Sequence, residues 1–96
     1  MKKAIRFVVV RSRGAGVWAG DFVEREGNVV TLANAIRLWF WTGASLSQVA
    51  SEGPSDPIRC KFGLPVPRVE ILDTVEIQDT TATAAAGIKG VVPWRK

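Results

Sequence analysis

The chain has 96 residues, 47% of them hydrophobic and 23% charged, with a net charge of +4, one cysteine and no histidine. That length holds one core and excludes a second domain, and that composition excludes a disordered chain. A lone cysteine without histidine excludes an intramolecular disulfide, zinc clusters and Ser-His-Asp hydrolysis.

Residues 1–96 are therefore expected to form a single domain, and so small a core with four tryptophans predicts burial against further copies in a homo-oligomer. The basic residues Lys2, Lys3, Arg6, Arg11, Arg13, Arg95 and Lys96 sit near the two ends, and Glu70, Asp73, Glu76 and Asp79 form a separate acidic stretch. Because a nucleic-acid binder gathers its cations into one stripe, this distribution argues against a nucleic-acid partner. The single Cys60 predicts a reducing, cytoplasmic compartment. No stretch approaches the roughly 20 apolar residues that span a bilayer. The start Met1 to Val10 imitates a leader's charged end, but Arg6, Arg11 and Arg13 break it, which predicts a first strand instead.

Ile5 to Arg11 is β-branched and is followed by the turn residues Gly14-Ala15-Gly16. Val17 to Glu24 resumes the strand pattern, Glu26-Gly27-Asn28 turns the chain, and Val29 to Leu32 forms a third strand. Asn34 then suits a tight connection before a fourth strand, Ala35 to Trp41. Alternation in that strand places Ile36, Leu38 and Phe40 on a core face and Arg37, Trp39 and Trp41 on the other. Ser45 and Gln48 match a capping box for a helix over Leu46 to Ser51, stopped by Gly53 and Pro54. Gly63, Pro65 and Pro67 make Cys60 to Pro67 an edge at most. Val69 to Leu72 and Val75 to Gln78 suit two further strands, although acidic residues at every third position also suit a helix. Thr80 or Thr81 caps a second helix running through Ala86 to a stop at Gly87. The tail Val91-Val92-Pro93-Trp94 docks on its own chain or on a neighbour. The fold class expected is α+β, mostly β: a small antiparallel sheet or partly open barrel of five to six strands with two short helices.

No catalytic residue, cofactor or metal site is predicted. Gly14, Gly16 and Gly20 miss the dinucleotide spacing and lie between strands, where they serve a hairpin. Residue types leave open a serine activated by lysine, Ser45 or Ser47 with Lys61. Ser45, however, already serves as a cap, and Cys60 reads as a small buried hydrophobe.

The face carrying Arg37, Trp39 and Trp41 has two readings. In one, the tryptophans plug a barrel or a subunit interface. In the other they form a ligand platform, with Trp18 as a further wall, because indoles stack nucleobases at about 1–3 kcal/mol each and an arginine fork grips phosphate. Ser45, Ser47, Lys61 and the helix N-terminal amides would then supply donors to an anion.

The residues Gly16-Val17-Trp18-Ala19-Gly20, Arg37-Leu38-Trp39-Phe40-Trp41, Gly43-Ala44-Ser45-Leu46-Ser47-Gln48 and Cys60-Lys61-Phe62 resemble a family of short, uncharacterised tailed-phage proteins. Their pattern is G-V-W-A-G, R-x-W-x-W-x-G-A-x-S-L-S-Q-x-A and C-K-F. The resemblance implies a phage or prophage origin and action inside the host cell. By analogy with small phage proteins that blunt host defence, a nucleotide immune signal sequestered in an Arg/Trp pocket is one expectation. A non-catalytic module that binds a host or phage protein through the tryptophan face is the other.

Overall fold

The structure, a computed structural model, describes residues 6–95; Ile5 of the expected first strand lies outside that range. The described chain forms strands β1 (Phe7–Ser12), β2 (Gly16–Glu26), β3 (Val29–Phe40), β4 (Lys61–Phe62), β5 (Val66–Ile71) and β6 (Thr74–Asp79). Two helices, α1 (Leu46–Glu52) and α2 (Ala82–Lys89), and a 3-10 turn at Pro57–Arg59 complete it. All ladders are antiparallel in the order β4-β3-β2-β1-β6, with β5 also on β3. The mostly β, α+β class expected from the sequence is the one found.

Strand β3 carries both edge partners. Its first half pairs with β5, Val30 opposite Ile71 and Ala35 opposite Val66. Its second half pairs with β4, Leu38 opposite Phe62. Strands β5 and β6 lie at opposite ends of the sheet, yet only Leu72 and Asp73 join them. So short a link forces the sheet to coil until its ends approach, yet among the described residues no ladder joins β5 to β6 and the six-stranded sheet stays open. Asp73 turns the corner at φ 56°. Ser12 Oγ donates to the Leu72 carbonyl at 2.6 Å, and Arg13 N donates to the Asp73 carbonyl at 3.0 Å. Thr74 N reaches the Asn28 carbonyl at 2.9 Å, so both early hairpins tie the corner.

Coiling gives the sheet two buried faces. Val8 and Val10 of β1 join Trp18, Val30, Leu32, Ala35 and Ile71 inside the curl. Phe7 and Val9 point the other way, to a core shared with Ile36, Leu38, Phe62, Val49 of α1 and Ile88 of α2. A strand buried on both sides reads as an unbroken apolar run, which is why β1 contains Val8-Val9-Val10. Cys60 is buried in the helix-side core.

Two expectations need correction. Asn34 does not separate two strands; β3 runs through it as one 12-residue element. The pairs Ala19 with Ile36 and Asp21 with Ala33 leave one extra residue on β3 there. Asn34 absorbs this bulge at φ 50°, and its Nδ2 donates to Asp21 Oδ2 at 3.0 Å. The bulge also explains Gly20, which lies within β2 rather than in the hairpin turn. A Cβ at position 20 would sit 3.0 Å from the Ala33 carbonyl oxygen and 3.1 Å from Ala35 Cα. Backbone cannot yield as a side chain tip does, so Gly20→Ala is expected to cost about 1–3 kcal/mol, measured as a lower urea midpoint at unchanged m.

Second, α2 does not stop at Gly87 but continues to Lys89, with Gly90 as its cap. Gly87 instead marks where the helices meet, since a Cβ there would touch Pro54 Cδ at 3.5 Å. Thr81 joins the same contact: its Oγ1 accepts from Ala84 N at 3.0 Å and donates to the Ser51 carbonyl at 2.8 Å. The two strands expected over 69–72 and 75–78 are found as β5 and β6, with Leu72 just past the end of β5; the helix alternative falls because Val69, Ile71 and Ile77 pack into the curl at a period of two.

The terminal cations and the acidic stretch, separate in sequence, meet in space. Antiparallel pairing of β1 with β6 sets Arg6 against Asp79 at 2.5 Å and Arg11 against Glu76 at 2.9 Å. Arg13 stands 4.0 Å from Asp73. The Arg11 guanidinium, and then Gln78, hold the Glu76 carboxyl below the ordinary glutamate range by hydrogen bonding. Its pKa being lower folded than unfolded, the contribution to stability is present above the unfolded value and lost as pH falls through the folded one. Carboxyl NMR should give Glu76 a depressed midpoint that moves back up in Arg11→Ala.

Candidate functional site

The seven residues singled out from sequence are not all brought to one place. Trp18 and Arg37 face each other across the β2–β3 ladder. Trp18 is a core side chain, 7% exposed inside the curl, with its indole N–H donated to the Ala15 carbonyl at 3.0 Å. The Arg37 guanidinium carbon lies 4.5 Å from the Trp18 ring centroid and 4.8 Å from that of Trp39. Such cation–π contacts are worth about 0.5–2 kcal/mol, more as they are desolvated.

Trp41 does not join them. The register from Leu38 opposite Phe62 to Phe40 opposite Lys61 places two β3 residues against one of β4, a bulge that resets the alternation. Beyond it Trp39 and Phe40 are both turned outward, 57% and 52% exposed, and Trp41 packs against the helix-side core. The expectation that Phe40 belongs to the core and Trp41 to the Arg37 face is thereby reversed. Alternation by twos holds only while the ladder is regular, and the sequence carries no mark of this bulge.

Ser45 caps α1, its Oγ accepting from Gln48 N at 3.2 Å. Gln48 Oε1 accepts from Ala44 N at 2.7 Å, one residue before the N-H that a capping box would engage. Val49 N is bonded to the Ser45 carbonyl at 3.2 Å, so much of the donor capacity expected for an anion is already used within the helix start. Ser47 is exposed on α1. Among the described residues no hydrogen bond links Ser45 or Ser47 to Lys61; the Lys61 ammonium instead lies 5.4 Å over the Trp94 ring.

Lys61 thereby reveals residues that sequence reasoning left out. It stands opposite Phe40 on β4, and the tail docks beside it, Trp94 N donating to the Phe62 carbonyl at 2.8 Å. Trp39, Phe40, Leu64 and Trp94 are all large, apolar and exposed. Exposed aromatic surface thus gathers about the β3–β4 ladder, Trp39 beside Arg37 and Trp94 beside Lys61, itself opposite Phe40. The available signal was Trp39-Phe40-Trp41 itself, since three successive aromatics exceed what one buried strand face can take.

Three clefts lie elsewhere. A cleft of about 510 Å³ separates β6 from the β2–β3 turn, lined by Arg6, Arg25, Asn28, Thr74 and Glu76 among others. Two more lie beside Glu24, Glu26 and Glu70 and beside Arg11, Arg13 and Gly16. None of the three is lined by Trp18, Arg37, Trp39, Trp41, Ser45, Ser47 or Lys61. No helix among the described residues is long and apolar enough to cross a membrane.

Comparison with known families matches residues 5–88 to the DUF6948 family, a domain of unknown function. The chain belongs to the DUF6948 family. The matched span of this DUF6948 domain takes in β1 to β6 and nearly all of α2, and so includes Trp18, Arg37, Trp39, Phe40 and Lys61 but not Trp94. No curated protein and no solved structure matches the chain.

Proposed function

We propose that this DUF6948 domain is a non-catalytic binding module that docks a protein partner on the β3–β4 edge, through Trp39, Phe40 and Trp94 with Arg37 and Lys61. The supporting observation is the exposure of those rings on a surface that none of the three clefts reaches. Small-molecule sites are concave and bury most of their ligand, whereas protein interfaces are broad and rely on a few Trp, Tyr and Arg anchors. The setting proposed is the one implied by the sequence resemblance: a phage-encoded protein acting in the cytoplasm of the infected cell.

Sequestration of a nucleotide is the competing proposal, favoured by two cations held on indoles, although none of the three clefts lies there. Native mass spectrometry of the protein purified from the cells that make it separates the two. The protein-docking reading expects a polypeptide retained by the wild type and weakened by Trp39→Ala about 30-fold, the effect of losing an anchor worth about 2 kcal/mol. A small-molecule adduct, with a thermal shift reproduced by a nucleotide panel, would transfer the proposal to sequestration.

A further inference from the structure

Arg37 differs from the arginines of β1 in how its charge is used. Arg6 and Arg11 each donate to a carboxylate. The Arg37 side chain makes no hydrogen bond and no ion pair among the described residues. Its guanidinium is held instead over two indoles, one of which, Trp18, is fixed in the core and bonded through its N–H. Five N–H donors in one plane remain without a protein acceptor. A side chain already positioned by its rings loses less freedom on binding than a free arginine does.

The surroundings say what kind of anion fits. Trp39, Phe40, Leu64 and Trp94 lie exposed along the same edge. A free inorganic anion would satisfy the fork and leave those rings in water, whereas an acidic side chain on an apolar peptide covers both. Charge allows it: among the described residues no carboxylate of this chain pairs with Arg37 or Lys61. We propose that Arg37 is a preset receptor for a carboxylate of the protein partner, and that the partner presents an acidic residue flanked by apolar ones. The proposal rests on the docking reading above and names the chemistry that docks.

The test uses the full chain labelled with nitrogen-15, following the Arg37 Nε–H and Trp39 indole N–H resonances. The probes are phenylacetate, its neutral analogue phenylacetamide, and inorganic phosphate. Phenylacetate is expected to shift both resonances saturably, at least about tenfold more tightly than phenylacetamide or phosphate, and Arg37→Lys is expected to weaken it about tenfold because the charge stays but the fork is lost. Equal shifts from phenylacetate and phenylacetamide, or no saturation, overturn the proposal. So does tighter binding of phosphate, which would make this a phosphate site, and so does a shift caused by raising protein concentration alone, which would mean that a second copy covers the edge. The two readings fail separately. If Trp39→Ala releases the native partner and Arg37→Lys does not, docking stands and the carboxylate receptor falls; if neither releases it, both fall.

Discussion

Phe62→Ala is expected to lower the unfolding free energy by about 3–5 kcal/mol, while Phe40→Ala changes it by less than about 0.5 kcal/mol. The two phenylalanines lie near each other on paired strands, so the contrast isolates burial. Phe62 is 1% exposed and sits among Leu38, Val49, Ile88 and Val91. β4 is only two residues long, so little ladder remains to hold it once the ring is gone. Its carbonyl also receives Trp94 N, and loosening of β4 should free the tail. A domain of this size has about 5–15 kcal/mol in all, which leaves Phe62→Ala partly unfolded on mild heating. Urea titration followed by circular dichroism measures both variants. Equal losses would mean that the β3 bulge is absent and that Phe40 packs inward.

Trp18→Ala is expected to cost a similar amount, about 3–5 kcal/mol, for a different reason. It empties the inside of the curl, where Val8, Val10, Leu32 and Ile71 close around the indole. It also removes the donor to the Ala15 carbonyl within the β1–β2 turn and one of the two rings under Arg37. Trp18→Phe keeps most of the apolar volume and loses the N–H, so its cost should be nearer the roughly 0.5–1.5 kcal/mol of one hydrogen bond. Near-ultraviolet dichroism of the remaining tryptophans reads the second consequence: Trp39 should lose its fixed asymmetry in Trp18→Ala, as Arg37 is no longer held from both sides. An unchanged Trp39 signal would mean that Arg37 is positioned by Trp39 alone.

The fold class was legible because it depends on local chemistry. The valine run of β1, the turns at Gly16 and Gly27, the Ser45 and Thr81 caps and the alternation in β5 and β6 each act within a few residues. The candidate site was legible in part: Trp18, Arg37 and Trp39 do come together, since a cross-strand pair and its neighbour follow from antiparallel pairing. Tertiary structure alone decided the rest. Whether Asn34 breaks a strand or bulges it depends on whether Gly20 lies opposite. Which of Phe40 and Trp41 turns outward depends on β4, paired 21 residues further along. The joining of Lys61 to Trp94, and of Arg6 and Arg11 to Asp79 and Glu76, depends on long-range registry. Composition and periodicity report which residues want burial or water, whereas an extra residue in a ladder, which moves every later side chain to the opposite face, is set by strands distant in the chain.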